Sequence, residues 1–459
     1  MILKSNSMKW FFFMCMSFVI VLAACGGNNN DAASGNEEAT AEESNNNSDD
    51  SNNNDANSNA ADSGEAVEIE FWTMQLSPDF DDYINGVIEK FEDENDNVTV
   101  NWVDVPWGDM ETRILSAVAG GTAPDVANLN PQFAAQLAEL DGLINVDELI
   151  DSEVKDQYFE GAWISNSFDG KTFGVPWYLS SQVTMYNADI FEQAGLDSED
   201  PPSTFEELYD AAEQIKEETG KYGYFPPFDG SHVLEALVMM GVDLTNEEMT
   251  EAAFNTPEGL DAFEYFSNLY QNELIPREVL TEGHSAMIDM YQGGQLAIMA
   301  SGPQFLSQIE TNAPDIFEVT RPAPQITGET GLMNIAAMNL VIPEGTEYTD
   351  EALDFAVFMT NAENQTDFSK ETAILPSIET ALDEPFFQEM EEDPTPEEEA
   401  RVVSASQLPD SEVLIPPMEN YEDLRVAMVE ALESAMFEQQ SPQEALDQAE
   451  EQWNQILAQ

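Results

Sequence analysis

Basic side chains are scarce. The 459 residues hold 13 Lys and Arg against 91 Asp and Glu, a formal net charge of −78. Such a chain has no basic patch with which to approach a phosphate backbone, so nucleic acid is excluded as a partner. Anionic membrane surfaces are excluded as well, except through a covalent anchor. Phosphate and other anions are disfavoured as ligands for the same reason. Self-repulsion of this size destabilises the compact state in dilute buffer and is relieved when salt screens it over a few Å. The composition therefore points to a salt-loving source, with acidic residues spread over solvated faces all along the body.

Cysteine is nearly absent. Cys15 and Cys25 are the two in the chain, and with none after position 25 the folded body has no structural disulfide. The two histidines, His232 and His284, are far apart and lack metal-ligand spacing, so they read as ordinary polar or packing residues. No metal and no cofactor is expected. Gly120-Gly121 and Gly293-Gly294 lack the lysine of a phosphate loop, and no Gly-x-Ser-x-Gly elbow occurs. A calcium loop opening at Asp93 would need glycine and glutamate where Val98 and Asp104 stand, so that acidic stretch reads as a solvated turn. Pairs of carboxylates, the mark of a glycosidase, carry no information where acids are everywhere. After residue 66 no apolar run reaches membrane-spanning length.

What is present begins with an address. Lys4 and Lys9 precede the apolar run from Phe11 to Val21, which ends in Leu22-Ala23-Ala24-Cys25-Gly26. A positive start, a short apolar core and small residues at a boundary describe a secretory signal. Leu-Ala-Ala-Cys resembles the bacterial lipobox, which implies cleavage before Cys25 and diacylglycerol on its thiol, with more than one acyl chain for stable anchoring. From Gly26 to Ala66 the residues are mainly Asn, Ser, Asp, Glu, Ala and Gly. Such a stretch cannot bury enough surface to offset its chain entropy and reads as a disordered tether.

The remaining length suits two or three domains of ordinary size. Val67, Ile69 and Phe71 alternate as a strand, and Tyr83, Ile84, Val87, Ile88 and Phe91 recur at helical spacing. A second alternating strand covers Val98 to Trp102. A helix around Met110 to Ala119 closes at Gly120-Gly121, and Pro124-Asp125-Val126 opens a third strand. Strands alternating with helices predict an α/β fold with parallel sheets. Helix starts are legible at Ser203-Thr204-Phe205-Glu206, read as a capping box, at Thr256-Pro257 and at Ser441-Pro442-Gln443-Glu444. Trp72, Trp107, Trp177, Tyr178 and Phe228 fall at or just past strand ends. Open α/β sheets bind ligands outside the carboxyl ends of their strands. Aromatic faces there suit the C–H face of a pyranose, although each ring could equally serve as core.

Taken in order, these segments resemble the family 1 extracellular solute-binding proteins of carbohydrate importers, similar to maltose-binding protein. The resemblance rests on Ile69-Glu70-Phe71-Trp72-Thr73-Met74, on Ala119 through Val126, on Gly170 through Trp177 and on Met185-Tyr186-Asn187-Ala188-Asp189. It continues through Pro202 to Leu208, Gly293 to Met299 with Gly302-Pro303, and Ser441 to Leu446. It implies a type II periplasmic-binding-protein-like clamp: two α/β lobes, each a sheet flanked by helices, joined by hinge crossings. On this reading the signal spans 1–24 and the lipidated cysteine and tether 25–66. The N-terminal lobe takes 67–179 with 333–375, and the C-terminal lobe 180–332 with 376–459. The resemblance carries cleft residues onto Trp72, Met74 and Gln75; Asn130, Gln132 and Phe133; Trp177, Tyr178 and Ser180; Phe228 and Asp229; Gln304 and Phe305; and Tyr421. Where the family often has tryptophan after Gly-Pro, this chain has Gln304, so that platform is lost or moved to Phe305. The resemblance also implies a monomer, without enzymatic activity, that takes a small neutral saccharide and docks on two permease subunits driven by an ATPase. Two other readings stay open: a secreted carbohydrate-active enzyme such as a glycoside hydrolase, and a binder of a non-sugar small solute.

Overall fold

The structure, a computed structural model, describes residues 66–459 except Asp169, Asp229 and Thr281. The signal, Cys25, the tether and the candidate Asp229 therefore lie outside the described residues. In chain order the strands are β1 (Val67–Met74), β2 (Val98–Val105), β3 (Val126–Leu129), β4 (Ser167–Phe168), β5 (Lys171–Thr172), β6 (Gly174–Ser181) and β7 (Val183–Asn187). They continue as β8 (Tyr222–Tyr224), β9 (Leu296–Ser301), β10 (Thr320–Ala323), β11 (Met333–Val341), β12 (Leu375–Pro376) and β13 (Ser411–Glu412).

These strands build two main sheets. The larger runs β12-β6-β11-β3-β1-β2, with β13 added to β11; the smaller runs β10-β7-β9-β8. In the larger sheet β1 is parallel to β2, from Val67 opposite Val98 to Met74 opposite Val105, and parallel to β3. Strand β11 runs antiparallel between β3 and β6. In the smaller sheet β8 and β9 are parallel, while β7 is antiparallel to both β9 and β10. The sequence reading of an α/β fold holds.

The side-chain period of a strand sorts β1 between two cores. Val67, Ile69 and Phe71 face the helices Asp81–Glu94 and Thr349–Met359, where they meet Ile84, Val87, Phe91 and Phe355. Trp72 and Met74 face the helices Trp107–Gly120 and Pro131–Glu139, against Met110, Ile114 and Leu137. Helices cover both faces, so the strand is apolar on both, as parallel strands require. The smaller sheet follows the same rule. Leu296, Ala297, Ile298 and Met299 are all buried, within a core that includes Phe205, Phe263, Phe266 and Trp453.

Helix starts follow the expected chemistry with one shift. The cap of Phe205–Thr219 is Thr204, and its reciprocal partner is Glu207 rather than Glu206, because Phe205 opens the helix and the third helical residue is Glu207. Ser441 with Glu444 closes a capping box as read, and Thr256 caps the helix that opens with Pro257. A further box, Thr395 with Glu398, precedes Pro396–Gln407.

Chain passes between the sheets at Gln182, between β10 and β11, and after β12. Buried amides tie these passages together. Gln325 Nε2 donates to the Asn334 carbonyl at 2.8 Å, and Asn334 N donates to Gln325 Oε1 at 3.0 Å. Gln407 Oε1 accepts from Gln325 N at 2.6 Å while its Nε2 donates to the Gln182 carbonyl at 3.3 Å. The segment after β12, read from sequence as belonging wholly to the second lobe, divides. Phe387 packs with Leu179 and Ile335 beside the larger sheet, whereas Ala400 joins the smaller sheet's core.

Candidate functional site

The carboxyl ends of β1, β2 and β3 lie along one edge of the larger sheet and are followed by Gln75, Pro106-Trp107 and Asn130. Gln75 takes a left-handed backbone, φ 51°, and is exposed. The turn is held by β2: Gln75 N donates to the Val105 carbonyl at 3.0 Å and Leu76 N to Asp104 Oδ1 at 2.9 Å. Asp104 also accepts from Thr73 Oγ1 at 2.7 Å, and Thr73 Oγ1 accepts from Trp102 Nε1 at 2.8 Å. Trp107, 47% exposed, presents the largest open aromatic face on this edge. Asn130 caps the helix Pro131–Glu139 through its Oδ1, which accepts from Phe133 N at 2.8 Å, and that leaves its amide hydrogens for a ligand. Gln132 and Phe133 are half-buried in the first turn of that helix.

Four residues expected at the site belong to the interior. Trp177 is 0% exposed and stacks on Phe368, centroids 5.2 Å apart and planes at 13°. Its strand position points it to the face where Phe71 and Phe355 pack, so it offers no shelf to a ligand. Trp72 is buried between Met74 and Met110, with its indole N–H on Glu70 and the Arg113 guanidinium 4.2 Å over its ring. Met74 is buried in the same cluster. Phe228 is buried edge-on to Phe266, 5.7 Å away, and lines a cavity of about 40 Å³ together with Tyr224, Pro226 and His232. Tyr178 and Ser180, one and three residues on from Trp177, are half-buried. Burial, and after it the charge of Asp104, raise the Tyr178 phenol far above its ordinary value.

At the carboxyl ends of β8 and β9 the smaller sheet gathers a second set. Gln304 is exposed, and Phe305 is half-buried with its ring 4.8 Å from that of His284. His284 and His232 stack, centroids 6.0 Å apart and planes at 21°. Ser301 Oγ, at the end of β9, lies 3.2 Å from His284 Nε2. Tyr421 opens the helix Tyr421–Met436 beside Ser231 and Glu235, which hydrogen-bond each other. Burial pushes the Tyr421 phenol up to about 12, the charge of Glu235 adding to it. The same place holds Ser231 and Ser301, which the sequence reading did not single out, and His232 and His284, which it took as ordinary polar or packing residues. The one available signal was that Ser301 immediately precedes the Gly302-Pro303 turn already assigned to the site. Burial, then the charge of Glu419, holds the Glu139 carboxyl above its ordinary value.

Residues 86–395 match the family described as bacterial extracellular solute-binding protein. A crystal structure of a periplasmic-binding protein from Synechococcus sp. MITs9220 is 36% identical, with a TM-score of 0.78 over 85% of this chain and 99% of that one. The cyclic alpha-maltosyl-1,6-maltose binding protein of Arthrobacter globiformis gives a TM-score of 0.75 at 25% identity, covering 85% of this chain and 99% of its own. The arabinooligosaccharide-binding protein of Halalkalibacterium halodurans is 25% identical over 304 residues, 64% of this chain and 67% of that protein. Matched over most of its length and built on two sheets flanked by helices, the chain belongs to the bacterial extracellular solute-binding protein family.

Proposed function

We propose that the chain captures a neutral oligosaccharide of a few units between two lobes and hands it to two permease subunits driven by an ATPase. The lobes in this reading are 67–179 with 333–375 and 180–332 with 376–459, the last segment returning first past the larger sheet. Ligand contacts come from Gln75, Asn130, Gln132, Phe133, Tyr178 and Ser180 on one side and from Gln304, Phe305 and Tyr421 on the other. The observation that carries this reading is the pairing of amides and hydroxyls with open rings at the carboxyl ends of strands in both sheets. Hydroxyl-rich, uncharged solutes need that mixture: amides and phenols exchange hydrogen bonds with hydroxyls, and flat faces cover C–H surface. The sugars named for two of the similar proteins support the same class.

In the same reading Cys25 carries diacylglycerol after cleavage before it, so the protein works as a monomer anchored to the outer face of the cell membrane. Calorimetry with arabinotriose, the cyclic maltosyl-maltose tetrasaccharide and linear gluco- and galacto-trisaccharides tests the ligand class. One of them binding near micromolar, about −8 kcal/mol, is the expected result; heat from none of them, with sn-glycerol 3-phosphate or an amino acid binding instead, removes the saccharide assignment.

The acidic excess we read as fitting a saline medium. Ion pairs such as Lys90 with Glu363 and Asp367, both at 3.5 Å, are exposed and contribute little against a net charge of −78. The melting temperature should climb as sodium chloride rises from about 0.01 M to about 1 M, where screening shortens from roughly 30 Å to 3 Å. A melting temperature indifferent to salt contradicts the adaptation.

A further inference from the structure

We infer that Trp107 is the platform of an outer sugar subsite at the free edge of the larger sheet, and that it sets the length of saccharide the chain prefers. The inference rests on the saccharide reading above and adds to it the residue that holds the last ring.

Trp107 stands apart from the other tryptophans among the described residues. Trp72, Trp163, Trp177 and Trp453 are buried against rings or cations, and Trp102 donates its indole N–H to Thr73. Trp107 is 47% exposed, and among the described residues no aromatic ring or cation stacks on it. An exposed apolar residue is by itself ordinary. The place of this one is not.

The helix Trp107–Gly120 packs through Met110, Ile114 and Ala117, a stripe that recurs every three or four residues. Trp107 continues that stripe one step back, past Val105, where β2 ends. Helical side chains lean toward the N-terminus. The packing that seats the helix therefore carries the indole out over the carboxyl edge of the sheet instead of into the core.

Register fixes what lies beside it. Met74 pairs with Val105, and Trp72 with Ala127, so Gln75, Pro106 and Asn130 leave β1, β2 and β3 at one level. Strands lie about 4.8 Å apart, which makes Asn130, Gln75 and Trp107 a row about 10 Å long. A sugar repeat is of similar length to a strand spacing, so the row takes roughly one ring per strand. Asn130 keeps its amide hydrogens, the Gln75 side chain is exposed, and β2 is the last strand of the sheet. Trp107 thus ends the row. Indole offers the broadest flat face of any side chain and an N–H for a hydroxyl, and a saccharide must extend to β2 before it gains either.

Length is therefore the variable to measure. Linear arabino-, gluco- and galacto-oligosaccharides of two, three and four units are titrated into the protein by calorimetry, and the series that binds is repeated on Trp107→Ala. In wild type the affinity should rise from the disaccharide to the trisaccharide. Trp107→Ala should weaken the trisaccharide about tenfold or more and leave the disaccharide within about twofold; Trp107→Phe should keep part of the trisaccharide affinity. Fluorescence gives a readout on unaltered protein: saturating trisaccharide should reduce acrylamide quenching, and Trp107→Phe should lose that protection. Unchanged quenching in saturated wild type, or equal affinities in wild type and Trp107→Ala at every length, overturns the platform and leaves the saccharide reading intact. An equal loss at every length overturns the assignment of length preference to Trp107. A wild-type protein that binds none of the sugars overturns both readings.

Discussion

At the scale of single residues, what a ring does is set by which way its strand turns it. Trp177 and Tyr178 are adjacent on β6, yet the first is sealed against Phe368 and Phe71 while the second is half-buried beside Asp104. Replacing Trp177 by alanine should therefore act on stability, at a cost of about 3–5 kcal/mol for a large buried aromatic. Denaturant unfolding checks this, and sugar affinity measured where the variant is still folded should stay within about threefold of wild type. A weakened affinity at unchanged stability would return Trp177 to the site. The sequence shows that aromatics cluster after the expected strands. It does not show which of two consecutive rings faces the helices, because that depends on Phe355 and Phe368, almost two hundred residues further on. The stacking of His232 on His284 was hidden for the same reason, since the two sit on helices far apart in the sequence. Gln75, by contrast, was legible, because it directly follows a strongly alternating strand.

At the scale of elements, local chemistry settles most starts and stops. Alternation gave β1 and β2, and Gly121, with φ 66°, ends Trp107–Gly120 where a left-handed residue is needed. Strands of two or three residues, such as β8, β12 and β13, carry no periodicity of their own and exist because a longer neighbour offers them an edge. The cap of Phe205–Thr219 fell one residue from its reading because Ser203 and Thr204 are both able caps, and Glu206 and Glu207 both able partners. Only the place where Phe205 turns inward separates them. The C-terminal helix Pro442–Leu457 puts Trp453 into the smaller sheet's core, with its indole N–H donating to the Leu424 carbonyl at 2.8 Å. Ser441→Ala removes the cap of that helix and should destabilise the protein by about 1 kcal/mol, read as a lower urea midpoint. Restoring the cap with Ser441→Asp should recover most of the loss; no change in either variant would mean that the helix is held by Trp453 alone.

For the whole molecule, family membership makes this an extracellular binding protein, not an enzyme, and the described residues include no helix long and apolar enough to cross a membrane. Its economy is that of a clamp: solute is gripped and released unchanged, and the informative variable is how the two sheets move relative to each other. The buried amides of Gln325, Asn334 and Gln407 suit such a joint, since they hold the crossing segments together without charges that would have to be desolvated again at every closure.

Closure can be read as a distance. Ser116 and Ser307 are exposed and belong to the larger and smaller sheets' helices respectively. Spin labels on Ser116→Cys and Ser307→Cys, in a chain whose Cys15 and Cys25 are replaced by serine, report the separation of those helices by pulsed electron resonance. Saturating sugar should shift the distribution to a shorter, narrower distance. An unchanged distribution, with binding verified calorimetrically on the same sample, would contradict a two-lobed clamp.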